Sequence, residues 1–197
     1  DVKNMRFANE NELLNLNERK SIIRRAFSKD INLASVKIPP LKIPSDFEDY
    51  SFYPCSEADL LNKAHQFKSE LRENGYDRKI LSGLHEAVRN AYQHGNKKDN
   101  SKKITLAKRI NDEHASFFVG DEGGIITQYF FPYILKFRQS SLPIISSFYR
   151  FSSTPRVYPE NEGLGTAIMH LVFDSVQFFR NEHDGLLVLL EKDAQNK

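Results

Sequence analysis

The sequence predicts an α+β domain, with helices laid on one face of a mixed, mostly antiparallel sheet. Three observations predict it. Apolar residues recur at helical spacing between Ser56 and Gly95. Two pairs of short strand-like runs follow, "KITLAKRI" with "ASFFVG" and "SVQFFR" with "LLVLLEK", each pair split by a polar turn. A glycine-opened helix, "EGLGTAIMHLVFDSV", separates the two pairs. Helices and strands therefore come in runs rather than as a βαβ series, which argues against a doubly wound parallel sheet.

The elements follow in order. Residues 1–45 read as an arm and linker. "NELLNLNERKSIIRRAFSKD" spaces Leu13, Leu14, Ile22, Ile23 and Phe27 along one helical stripe. "VKIPPLKIP" has three prolines and reads as an extended linker or an edge strand, because proline donates nothing to a ladder. The compact domain, 46–197, opens with "YSFYP" as a short strand. Ser56 then caps a helix, with Asp59 in a capping-box variant, and that helix runs to about Asn74 before Gly75. Asp77 caps the next helix, "ILSGLHEAVRNAYQHGN", which Gly95 ends. "NKKDNSKK" and "NDEH" are polar turns around the first strand. Residues 125–162 are rich in aromatics, serine and proline. A stretch of that length between elements is expected only where it serves function. The glycine-opened helix and a closing hairpin around "NEHDG" complete the chain.

Bulk composition narrows the function classes. With 197 residues, 40% hydrophobic and 27% charged, the chain suits one soluble globular domain with an added arm. A net charge of +2 leaves no nucleic-acid footprint. No apolar run is long enough to span a bilayer, and the first residues lack the basic-then-apolar order of a signal peptide. The lone Cys55 excludes an internal disulfide and fits a reducing compartment, so a cytoplasmic protein is expected.

Three stretches carry chemistry. Glu86 and Asn90 lie four residues apart on one helix face, where a carboxylate beside an amide oxygen suits magnesium, a cation that takes few protein ligands. "VGDEGG" puts Asp121 directly after a strand and before glycines, where backbone can approach a ligand and a carboxylate can accept from an exocyclic amine. Gly163 and Gly165 open a helix whose free N–H groups favour an anion such as phosphate. Taken singly, each also fits a solvated helix face, a hairpin turn or a plain helix start. His94 lacks a second ligand at zinc spacing and reads as a capping group at the helix end.

Taken in order, the three stretches resemble the GHKL (Bergerat-fold) ATPases. "HEAVRNAYQHG" resembles their N box, "DEGG" their first glycine box and "GLG" their second, over about Asp46 to Lys192. The form E-A-x-x-N-A-x-x-H-G is most similar to the bacterial anti-sigma-factor serine/threonine kinases. The resemblance implies a two-layer α/β sandwich of the GHKL type and the cofactors ATP and Mg²⁺. It makes Glu86 the general base and Asn90 the metal ligand. His94, Asp121, Gly123, Gly163, Leu164, Gly165 and Thr166 join Asn90 in the nucleotide site, and Asp121 takes the adenine amine. Residues 125–162 would be the ATP lid. The implied partners are a sigma factor and a STAS-domain antagonist that the kinase phosphorylates, with no nucleic acid or membrane. Many relatives are homodimers, which the stripe on the arm would suit. A non-catalytic binding module, or the ATPase part of a larger sensor histidine kinase, are the alternatives. Two departures stand out. Ile125 replaces the last glycine of D-x-G-x-G, and Glu160, Asn161 and Glu162 precede the second glycine box where some relatives carry arginine.

Overall fold

The computed structural model describes residues 31–32, 39–126 and 164–194. The elements are β1 (Ile31–Asn32), β2 (Glu48–Asp49), α1 (Glu57–His65), α2 (Lys68–Glu73), α3 (Ile80–Asn90), β3 (Thr105–Ile110), β4 (His114–Gly120), β5 (Ile125–Ile126), α4 (Leu164–Val172), β6 (Ser175–Arg180) and β7 (Leu186–Asp193). A five-stranded sheet runs β2-β3-β4-β7-β6, and every neighbouring pair in it is antiparallel. The class is the α+β one expected. The sheet is antiparallel throughout among the described residues, rather than mixed. Two local hairpins, β3–β4 and β6–β7, are joined along the β4–β7 ladder, which forms the middle of the sheet.

Local chemistry explains most element ends. Ser56 caps α1 by accepting from the Asp59 N–H at 3.2 Å, and Asp59 accepts in return from the Cys55 N–H at 3.2 Å. The expected capping box is thus made one residue wider than usual. The single helix expected from 56 to 74 is instead two pieces, broken at Gln66 and Phe67. Phe67 is buried against Tyr50 and Phe117, so the chain bends to seat that ring. Gly75 ends the second piece at φ 81°, as its freedom from a Cβ permits. Asp77 accepts from the Lys79 N–H at 2.8 Å and feeds a tight turn into α3. The strand read at "YSFYP" starts earlier, at Glu48, and Phe52 adds only an isolated bridge to Ile104.

The sheet's inner face carries Leu106, Phe117, Val119 and Leu190 against Leu60, Leu84, Val88 and Met169 of the helices, all of them buried. Its outer face carries Ala107, Phe118 and Leu187, which Leu41, Ile43 and Phe47 cover. The Phe47 and Phe118 rings stand 4.8 Å apart, and the Leu41 N–H donates to the Arg180 carbonyl at 2.8 Å. The proline-containing segment after residue 39 therefore packs on the sheet. This is why β4 reads as an apolar run rather than an alternation: both of its faces are covered. β1 pairs antiparallel with β5, Ile31 opposite Ile126. The amphipathic stripe before Ile31 and most of the 125–162 lid lie outside the described residues.

Candidate functional site

Helix α3 organises the site. Ile80, Leu84, Ala87 and Val88 bury its inner side, so the period of the helix turns Glu86 and Asn90 toward the start of α4. The two helices meet there without a side chain between them. A Cβ on Gly165 would lie 2.5 Å from Glu86 Oε2 and 3.5 Å from Asn90 Nδ2. A side chain there would push the Glu86 carboxylate aside, and glycine leaves it in place. The Glu86 side chain is 17% exposed, and Arg89 Nη1 stands 3.8 Å from its Oε2. Arg89 also reaches Glu57 of α1, whose other oxygen accepts from Gln93 Nε2 at 2.7 Å. Burial pulls the neighbouring His85 imidazolium's pKa below its usual value.

Beyond Asn90 the helix widens into one π-helical turn, Ala91–Gly95, closed by an Asn96 N–H to Ala91 carbonyl bond of 2.7 Å. Such turns recur at functional positions. Gly95 was expected to stop the helix, but the left-handed residues that stop it are Lys97 and Lys98, at φ 55° and 61°. Gly95 does something else. A Cβ there would lie 2.5 Å from Asp121 Cβ and collide with the carboxylate, so its absence admits Asp121 against the helix end.

Asp121 is 4% exposed. Its Oδ1 accepts from the N–H groups of Gly123 at 2.9 Å, Leu186 at 3.3 Å and Gly124 at 3.4 Å. Among the described residues Oδ2 accepts no hydrogen bond. Burial raises the Asp121 pKa above the usual carboxylate range, and the backbone N–H groups only partly offset this. A Cβ on Gly123 would collide with the Gly95 carbonyl. Gly124 takes φ 68° against the Asp184 carbonyl.

The residues expected from sequence thus fall into two groups on one helix. Glu86, Asn90 and Gly165 meet at its middle, and Asp121 and Gly123 meet Gly95 at its end. His94 lies exposed on the π turn between them. Leu164 and Thr166 flank Gly165 in α4, and Gly163 lies outside the described residues. Sequence reading missed Asn96 and Asn181, both buried and bonded to the Asp121 turn, and Arg89 beside Glu86. An asparagine in a polar turn gives no sign of burial, so nothing in the sequence separated these two from ordinary turn residues.

The donor set fits the implied groups. Asn90 turns its Nδ2 toward Gly165, and its Oδ1, which makes no hydrogen bond among the described residues, is a hard oxygen of the kind magnesium takes singly. Asp121 Oδ2 is an acceptor set against Gly95 at the helix end. Among the described residues no three His, Cys, Asp or Glu side chains gather as a metal cluster, and no helix is long and apolar enough to cross a membrane. No protein-family model matches the chain, and no curated protein is significantly similar to it.

Proposed function

We propose that this chain is an ATP- and magnesium-binding regulator of the GHKL type. It acts as a serine/threonine kinase that holds a sigma factor and phosphorylates a STAS-type antagonist in a cytoplasmic partner switch. One observation carries the reading. Helix α3 sets Glu86 and Asn90 against the backbone of Gly165, and its end sets Gly95 against Asp121. Gly95 lies nine positions beyond Glu86, a rise of about 13 Å, the length scale of a nucleoside triphosphate. Asp121 Oδ2 accepts the adenine amine at one end. At the other, Asn90 Oδ1 would hold the cation, and the N–H groups opening α4 would meet the phosphates. Glu86 takes the proton from the acceptor hydroxyl. Mg-ATP, when bound, supplies the phosphoryl group, and the chain's own share is positioning and charge.

Arg89, 3.8 Å from Glu86 Oε2, favours a second reading: the carboxylate is held in an ion pair and the chain captures a partner without transfer. Glu86→Gln separates the two. A kinase loses phosphate transfer to the captured antagonist by about 10²-fold or more and keeps Mg-ATP affinity. A binding module leaves partner capture and nucleotide affinity as they were, with no phosphate on the partner in either form. Capture from native extract with and without Mg-ATP, read by mass spectrometry, supplies the partners. A chain with no affinity for Mg-ATP would remove both nucleotide readings.

A further inference from the structure

Two buried amide side chains grip the Asp121 turn from opposite sides. Asn181 directly follows β6 and is 6% exposed. Its Nδ2 donates to the Asp121 carbonyl at 2.7 Å. Its Oδ1 accepts from the N–H groups of Gly185 at 2.7 Å and His183 at 2.9 Å. The β6–β7 turn is folded around that amide and pressed onto Asp121, where a Cβ on Gly185 would collide with the Asp121 carbonyl. Asn96 follows the π turn and is 1% exposed. Its Oδ1 accepts from the Glu122 N–H at 2.8 Å, and its Nδ2 donates to the Lys103 carbonyl at 3.1 Å and the Lys102 carbonyl at 3.4 Å. Each amide thus fixes one backbone group of the dipeptide that carries the carboxylate, the carbonyl of Asp121 in one case and the following N–H in the other. These are the C=O and N–H of a single peptide unit, which is thereby held at both ends; with Oδ1 also tied to the N–H groups of Gly123, Gly124 and Leu186, Asp121 has one direction in which to present Oδ2.

We propose that Asn181 and Asn96 are positioning residues for Asp121, and that through this grip they set which purine the site accepts. The inference rests on the adenine reading of Asp121. A carboxylate held in one direction accepts from a 6-amino group and opposes a 6-oxo group, whereas one free to turn away tolerates either. Discrimination between the two purines therefore depends on the grip, and general affinity for the triphosphate does not.

The probes are ATP and inosine triphosphate, each with magnesium, titrated into the full chain. The unaltered protein prefers ATP by about 10²-fold, the order expected when a buried polar group meets the wrong partner. Asn181→Asp loses the donor that holds the Asp121 carbonyl, and Asn96→Leu loses the acceptor that holds the Glu122 N–H, each at nearly unchanged size. Each brings the ratio to within about threefold of one, mainly by weakening ATP while affinity for inosine triphosphate holds. A merely structural role lowers both nucleotides together and leaves the ratio intact. A high ratio in the parent that both variants keep overturns this inference alone. A parent ratio near one removes the adenine reading and this inference with it. Should neither variant fold, amide exchange in the unaltered chain decides the matter. Saturating ATP slows exchange at Glu122 and Gly185, the N–H groups the two amides hold, and saturating inosine triphosphate does not. Equal slowing by both nucleotides, or by neither, overturns the proposal.

Discussion

Gly95→Ala tests whether the helix end and Asp121 are fitted to each other as tightly as their geometry indicates. The new methyl would lie 2.5 Å from Asp121 Cβ and collide with Cγ and Oδ2. Relief by a flexible side-chain tip is not available, because Oδ1 is tied to the N–H groups of Gly123, Gly124 and Leu186. Moving the carboxylate breaks two or three of those bonds, at about 1 kcal/mol each. Alanine returns about 0.5–1 kcal/mol over glycine in a helical turn. The net loss is therefore about 2 kcal/mol. At a urea slope of roughly 2 kcal/mol/M, the unfolding midpoint falls by about 1 M. Gly83→Ala is the control. Its methyl meets the edge of the Phe173 ring at 2.8 Å, and that ring can shift, so the loss is at most about 1 kcal/mol. If Gly95→Ala matches the parent in urea, or costs less than Gly83→Ala, the fit described between helix end and carboxylate is wrong.

Three further outcomes are expected. Burial raises the Asp121 pKa above its ordinary 3.8, so its contribution to stability is complete below that pH and is lost as pH rises through the folded value. Asp121→Asn keeps an accepting oxygen without the charge; urea melts at pH 4 and pH 7 should show the variant's stability relative to the parent rising with pH, and a variant that instead falls further behind the parent at pH 7 would contradict the buried charge. Burial holds the His170 pKa at about 4 against 6.5 in the open chain, so stability present above 6.5 is lost as pH falls toward 4. At pH 5 the loss is about 1–2 kcal/mol after discounting for partial exposure, and His170→Leu should flatten that part of the pH profile, as calorimetry at pH 7 and pH 5 would register. Lys108 lies buried under the Tyr50 and Phe67 rings with Glu70 at 2.5 Å and Glu48 at 3.3 Å, yet those two carboxylates stay 36% and 65% exposed. Lys108→Met should therefore stay within about 1 kcal/mol of the parent and Lys108→Ala should cost about 2–3 kcal/mol through the lost stem; equal losses in denaturant would show that charge rather than packing holds this position.

Much of this was legible in the sequence wherever local chemistry decides the backbone. The Ser56 cap, the Gly75 stop and the two hairpins rest on residues that act within a few positions of themselves. The pairing of Glu86 with Asn90 followed from helical period alone. What sequence reading missed depends on contacts between distant residues. The bend at Phe67 exists because Phe117, fifty residues on, offers that ring a place (117 minus 67). The cover over the outer face comes from Leu41, Ile43 and Phe47, which precede the domain as it was drawn from composition. Gly95 read as a helix stop because glycine usually is one, whereas its role is set by Asp121. Asn96 and Asn181 acquire their meaning only from the backbone they grip.

The sheet's central seam has a consequence for how the chain is made. β3 and β4 close on each other as soon as both have been synthesised, but the other edge of β4 waits for β7. Gly120 pairs with Leu187, 67 residues later (187 minus 120). At roughly 5–20 residues per second of synthesis, that edge stays open for about 3–13 s. It carries "SFFV", an apolar ladder of the kind that pairs with other chains when left uncovered. During that interval Asp121 also lacks its Leu186 and Asn181 partners, so the site and the protection of the edge are completed by the same event. Chaperones that cover nascent strands would be needed for this stretch more than for any helix of the domain.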